Sequence, residues 1–115
     1  MNFRPELAEA VMAGTKTVTR RLVSANRNSP WWEHECSYRV GQVVAICPGR
    51  GKHQIGKATV VSVERMTLGI PARHEAIAEG FAGPIAFVEA WEAINGAYDP
   101  HAIVWRIGLE AITDA

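Results

Sequence analysis

The sequence has few of the features that mark secreted, membrane-spanning or disordered proteins. It contains only two cysteines in 115 residues, too few for a small secreted scaffold held by disulfides. No stretch approaches the roughly 18 consecutive apolar residues of a membrane span. The first nine residues already include Arg4, Glu6 and Glu9, so we expect no secretory signal. Because 48% of the residues are hydrophobic, the chain can bury a core. We therefore expect one soluble domain over residues 1–115, located in the cytoplasm.

An excess of charge of one sign is also absent, but the charges are unevenly distributed. Residues 1–65 hold ten basic and five acidic residues, whereas residues 66–115 hold two basic and seven acidic ones. This asymmetry indicates either a basic face for an anionic partner such as nucleic acid, or two halves of one domain whose charges mix on folding.

The hydrophobic periodicity and the turn residues predict three helices and four strands. Pro5 and Gly14 are typical of the first and last positions of a helix, and β-branched residues dominate the predicted strands. The predicted helices cover 4–14, 71–79 and 84–94, and the predicted strands cover 17–23, 43–47, 56–65 and 102–112. Because helices and strands do not alternate regularly, a doubly wound parallel sheet is disfavoured. The order predicts an α+β fold, with a small mixed or antiparallel β-barrel and helices packed outside it.

The most informative segment follows the first predicted helix. Gly14 is followed within seven residues by Lys16, Thr17, Thr19 and Arg21. Side chains three residues apart on a regular strand point to opposite faces. If Lys16 and Thr19 serve one site, Lys16 must therefore lie in the turn between helix and strand, with Thr19 on the strand.

This arrangement resembles the ASCH domain family, a branch of the PUA-like fold, whose signature is an apolar helix followed by Gly-x-Lys-Thr-x-Thr-x-Arg. Four further segments are similar to the family in the same order, although Gln42 replaces the usual acid of the turn: Tyr38–Val43, Ala78–Phe81, Phe87–Trp91 and Val104–Ile107. The resemblance covers nearly the whole chain. It implies a small PUA-like mixed β-barrel with peripheral helices and a cleft beside the signature strand.

The resemblance also implies a function that involves RNA or modified nucleosides. The family includes a small amidohydrolase that removes the acetyl group of N4-acetylcytidine, single-strand ribonucleases, and RNA-binding domains. The catalytic set of the amidohydrolase carries over to Lys16, Thr19 and Glu79, and Arg21 matches the signature arginine. We assign Thr17, Arg20 and Arg21 to substrate binding, and we expect neither a metal nor another cofactor.

The residue types permit several chemistries, which the sequence does not separate. Thr19 can be a nucleophile, with Lys16 as its base if burial lowers the pKa of the lysine and Glu79 orients it. Alternatively, Lys16 stays charged and stabilises an oxyanion while Glu79 activates water. For RNA, Lys16 and Arg21 would hold a phosphate while Glu79 deprotonates a 2′-hydroxyl. The remaining alternatives are a non-catalytic RNA-binding module, a protein-interaction domain, and ordinary structural roles for all of these residues.

Three further features of the sequence are weaker signals of function. The adjacent Trp31 and Trp32 either stack on bases or pack over an apolar patch. The basic loop 48–52 either contacts phosphates or is a solvated hairpin tip. Two histidines and two cysteines lie within twenty residues, but they lack the close spacing of common zinc modules: His34, Cys36, Cys47 and His53.

Overall fold

The structure is a computed structural model that describes residues 1–113. Its elements follow the predicted order, and their ends differ from the predicted ends by at most two residues, which is the usual uncertainty of helix and strand ends. The helices are α1 (Pro5–Ala13), α2 (Arg73–Ala78) and α3 (Pro84–Asn95), and the strands are β1 (Val18–Leu22), β2 (Val43–Ile46), β3 (Gly56–Thr67) and β4 (Ile103–Ile112). Within this part of the chain, no helix is long and apolar enough to cross a membrane.

The four strands form an antiparallel sheet in the order β1-β4-β3-β2. The α+β class is therefore confirmed and the sheet is antiparallel, but across residues 1–113 it does not close into the predicted mixed β-barrel. The two edge strands, of only five and four residues, do not pair with each other. The N-terminal segment spans the gap instead: Asn2 forms a parallel bridge with Cys47, and its carbonyl accepts a 2.8 Å hydrogen bond from the Arg21 guanidinium on β1.

The sheet has a hydrophobic cluster on each face, and β4 contributes to both. One cluster includes Ile107 and Leu109 of β4 and the α1 residue Val11, all fully or almost fully buried. The other includes Val104 together with Phe87 and Trp91 of α3. Phe87 and Trp91 are four residues apart and so lie on one face of the helix. This second cluster holds α2 and α3 against the sheet and places the end of α2 beside the start of β1.

Candidate active site

The turn before β1 brings Lys16 into the interior. Helix α1 ends at Gly14, whose φ of 80° lies in the left-handed region that favours glycine. The backbone amides of Thr15 and Lys16 both donate 3.0 Å hydrogen bonds to the Ala10 carbonyl, which tightens the turn. Lys16 thus lies before β1 rather than on it, and its side chain is only 2% exposed.

The buried ammonium group of Lys16 has three hydrogen-bond acceptors. Its Nζ donates to the carbonyl of Val18 at 2.7 Å and to the carbonyl of Glu79 at 2.6 Å. The third contact, to Glu79 Oε1, is longer at 3.3 Å. Every N–H of the ammonium therefore has a partner, and the contact with the carboxylate is the loosest of the three.

Burial changes the acidity of this lysine. The loss of hydration lowers the pKa of Lys16 from 10.5 to about 8, although the neighbouring Glu79 carboxylate acts in the opposite direction. Burial prevails because the hydration free energy that the ammonium group loses is larger than the electrostatic stabilisation that one carboxylate provides. The neutral amine is therefore accessible near physiological pH, as a general base requires.

Glu79 is held in place by the end of α2 and by two cations. It caps the C-terminus of the helix, and the amide of Thr17 docks this end through a 2.8 Å hydrogen bond to the Ala78 carbonyl. Its second oxygen, Oε2, accepts a 2.8 Å hydrogen bond from Arg20. Arg20 in turn contacts Glu75 at 3.3 Å. The Glu79 carboxylate thus bridges Lys16 and Arg20, with both of its oxygens engaged.

Thr19 and Arg21 lie on the face of β1 that is opposite to Arg20. Thr19 is buried, and its Oγ1 accepts a 3.2 Å hydrogen bond from Arg21 Nε. The Arg21 guanidinium lies between two aromatic rings, 5.0 Å from the centroid of Phe3 and 5.5 Å from that of Trp31. This stacking and the bond to the Asn2 carbonyl fix the orientation of Arg21 and so leave the cation beside the Thr19 oxygen.

A cavity of about 480 Å³ joins these two groups of residues. Five of the six predicted site residues line it: Lys16, Thr19, Arg20, Arg21 and Glu79. The sixth, Thr17, does not: its side chain is exposed, and its backbone joins α2 to β4 instead. The substrate-binding assignment of Thr17 therefore finds no support in its position.

Several lining residues were missed from the sequence. Phe81, Phe87 and Trp91 form an aromatic wall, and Phe3 lies on the N-terminal side. The spacing of Phe87 and Trp91 predicts one helix face, but a buried core face and a cavity wall have the same pattern. Phe81 directly follows the Glu79-Gly80 motif, which is the one local signal that marks it as a neighbour of the site.

The weaker features are placed as follows. Trp31 packs against Tyr38 with ring centroids 5.1 Å apart, and the carbonyl of Trp32 accepts a hydrogen bond from Trp105 Nε1. Neither tryptophan lines the cavity, so neither is placed to stack on a base bound there, whereas Arg50 of the basic loop does line it. Across residues 1–113, no cluster of three or more His, Cys, Asp or Glu side chains is arranged to hold a metal. Cys36 and Cys47 are free thiols.

Solved structures share this fold, although no family model and no curated protein matches the sequence. A DUF984-family protein from Enterococcus faecalis is 19% identical with a TM-score of 0.63, over 92% of this chain and 69% of that one. An ASCH domain from Lactobacillus crispatus is 13% identical with a TM-score of 0.62, over 91% and 69%. A variant of an ASCH protein from Zymomonas mobilis is 18% identical with a TM-score of 0.58, over 97% and 68%. The chain therefore has the fold of ASCH domains, which confirms the resemblance at the level of the fold.

Proposed function

We propose that this chain is a hydrolase that binds a modified nucleoside in the cavity and cleaves an amide on its base, as in N4-acetylcytidine. The observation that carries the proposal is the position of Thr19 in the cavity wall together with a buried lysine of lowered pKa. A cavity of about 480 Å³ is within the range of small-ligand sites, and the wall of Phe81, Phe87 and Trp91 offers ring faces on which a base stacks.

The proposed reaction uses Lys16 as the base and Thr19 as the nucleophile. The neutral amine of Lys16 takes the hydroxyl proton of Thr19 as Oγ1 attacks the acyl carbon. Lys16 then passes this proton to the leaving nitrogen, N4 of the nucleobase, as the C–N bond breaks. An acyl ester remains on Thr19. Water then hydrolyses the ester and releases the carboxylic acid. Glu79 orients Lys16, and the Arg21 guanidinium stabilises negative charge at Oγ1.

Substitution of Thr19 tests this proposal. The purified chain is expected to release cytidine and acetate from N4-acetylcytidine. Thr19→Val keeps the shape but has no hydroxyl, so kcat is expected to fall at least about a hundredfold while cytidine still binds. Thr19→Ser keeps the hydroxyl and is expected to retain activity. The proposal fails if the wild-type chain has no turnover, or if Thr19→Val hydrolyses the substrate as well as Thr19→Ser does.

A second candidate function is the binding of single-stranded RNA without chemistry. The favouring observation is that Arg4 and Arg50, both exposed, lie at the rim of the same cavity. A base in the cavity would then place its neighbouring phosphates near these cations. The alternative outcome is that the bound RNA is cleaved. In that case Glu79 would act as the general base that deprotonates a 2′-hydroxyl, and shorter RNA fragments would appear.

We also propose that residues 1–115 form a single ASCH domain that acts in the cytoplasm. The support for one domain is that both hydrophobic clusters share β4, through Val104 on one face and Ile107 on the other. The support for the compartment is that Cys36 and Cys47 are free thiols, as is common in reducing compartments.

A further inference from the structure

Strand β1 lies at one edge of the sheet, and its pairing with β4 determines which backbone groups point away from the sheet. The Leu109 amide donates to the Thr17 carbonyl at 2.8 Å, and the Val23 amide donates to the Ile103 carbonyl at 3.2 Å. In an antiparallel pair, alternate residues direct both N–H and C=O toward the partner strand. Since residues 17 and 23 do so here, the odd-numbered residues face β4 and the even-numbered residues face outward.

This outward edge is closed at both ends by the protein itself. At the first end, the Val18 carbonyl accepts the 2.7 Å hydrogen bond from Lys16 Nζ. At the other end, the Ser24 amide donates to Trp31, and the Ser24 carbonyl accepts from Glu33, each at 2.8 Å. Val18 in the strand and Ser24 just beyond it are both even-numbered, which agrees with the pairing pattern.

Between these two ends lie Arg20 and Leu22, whose backbone N–H and C=O groups point away from β4. Both residues line the cavity. Within the described part of the chain, no hydrogen bond reaches the outward N–H or C=O of either residue. Two donors and two acceptors thus lie in one row along a strand whose residues line the same cavity as the aromatic wall. Unpaired backbone groups in a binding cavity favour a ligand that supplies the missing partners.

We propose that this open edge binds the hydrogen-bonding edge of the nucleobase, with the Leu22 N–H as one of the donors. The inference rests on the proposed function of the cavity and adds how the base is recognised. The open stretch has only two outward-facing residues, about 7 Å apart, which is too short for an added peptide strand. It matches one planar ring with an adjacent acceptor and donor, such as N3 and the N4 amino group of cytosine.

The first arm of the test changes the ligand. Binding of cytidine, 5-methylcytidine and N4,N4-dimethylcytidine to the wild-type chain is measured by calorimetry. The dimethyl compound has no N4 donor and blocks the edge, so we expect it to bind at least about tenfold more weakly than cytidine. The 5-methyl group lies on another side of the ring, so 5-methylcytidine is the matched control. Equal affinities for all three would overturn the inference.

The second arm changes the backbone. Leu22→Pro removes the outward N–H, and it is compatible with an edge strand because that N–H makes no bond to β4. Leu22→Ala removes the same side chain but keeps the N–H, so the ratio of the two affinities isolates the N–H. We expect cytidine to bind about tenfold more weakly to Leu22→Pro than to Leu22→Ala. Equal affinities of the two variants would overturn the inference.

The outcomes also separate this inference from the proposed function. If the wild-type chain binds no nucleoside, the proposed function fails. If it binds and hydrolyses N4-acetylcytidine but binds N4,N4-dimethylcytidine as tightly as cytidine, only the inference about the backbone fails. Circular dichroism shows whether Leu22→Pro is folded, and if it is not, the ligand arm decides.

Discussion

At Lys16, burial lowers the pKa of the ammonium group, whereas its hydrogen bond to Glu79 raises it. Two short bonds to the carbonyls of Val18 and Glu79 hold two hydrogens, and the longer contact to Glu79 Oε1 holds the third. A neutral amine keeps two N–H groups, which is enough for both short bonds, so loss of one proton turns the group into a base. Burial makes this loss accessible, since the pKa is lowered to about 8.

The pH dependence of the hydrolysis tests the role of Lys16. Only the neutral amine accepts the proton of Thr19, so kcat/KM for N4-acetylcytidine is expected to rise about tenfold per pH unit below pH 8 and to level off above it. Initial rates are measured from pH 6 to 10 and corrected for spontaneous hydrolysis. Lys16→Met is expected to lower the rate by about 10²–10⁴ and to remove the rise.

A rate that instead falls above pH 8 would contradict the base role. It would indicate that the ammonium form of Lys16 is required, as in the alternative in which Glu79 activates water. The sign of the slope therefore separates the two mechanisms that the sequence left open.

At the scale of elements, the contact between the end of α2 and the turn before β1 assembles the site. Glu79 caps the helix, and Gly80 follows with a φ of 98°. A Cβ on Gly80 would lie 3.1 Å from Leu7 Cδ2 and 3.3 Å from Lys16 Cβ. Glycine is therefore favoured here for two reasons, the backbone conformation and the close approach of helix α1 and the turn before β1.

Two glycine substitutions separate these reasons. Gly14 also has a positive φ, 80°, but a Cβ added there would have no atom within 4 Å. Gly14→Ala is expected to lower the free energy of unfolding by about 1 kcal/mol through the backbone alone. Gly80→Ala is expected to cost about 1–2 kcal/mol more, because Leu7 and Lys16 must shift. Urea denaturation of both variants measures the difference.

Equal losses for the two variants would contradict the packing argument. Gly83→Ala serves as the control, because Gly83 has extended backbone and an added Cβ would meet no atom within 4 Å, so little change is expected.

At the scale of the whole molecule, the uneven charge distribution becomes a set of contacts between the two halves. Lys16 and Arg20 belong to the basic half, and Glu75 and Glu79 to the acidic half; they meet in three ion pairs beside the cavity. The interpretation in which the charges mix on folding thus describes these residues. The Arg50 side chain at the rim is exposed and remains available to an anionic ligand.

The salt dependence of binding tests whether RNA contacts this rim. A nucleoside has no phosphate, so its affinity is expected to be nearly independent of salt. A short single-stranded RNA is expected to bind more weakly as salt rises, with Arg50→Ala reducing the log–log slope by about 0.7. Arg73→Ala is the matched control, since Arg73 is exposed but does not line the cavity. Fluorescence anisotropy between about 50 and 300 mM salt measures the slopes, and a salt-independent affinity for RNA would contradict the contact.

The sequence by itself determined the helices, the strands and the position of Lys16 in a turn. These depend on local signals: Pro5 and Gly14 at helix ends, β-branched residues in strands, and the parity of strand side chains. The resemblance to ASCH domains, which depends on the order of several motifs, pointed correctly to the fold and named Glu79 as a partner of Lys16.

Only the tertiary structure decided that Glu79 reaches Lys16 across 63 residues, that the sheet stays open, and that Phe87 and Trp91 form a cavity wall. Thr17 shows the limit most clearly, since it belongs to the motif but its exposed side chain does not line the cavity. The physical reason is that these features depend on how the long strands β3 and β4 carry distant segments together. Periodicity and turn residues act over a few neighbours, so they do not specify which buried faces meet or where a cavity remains between them.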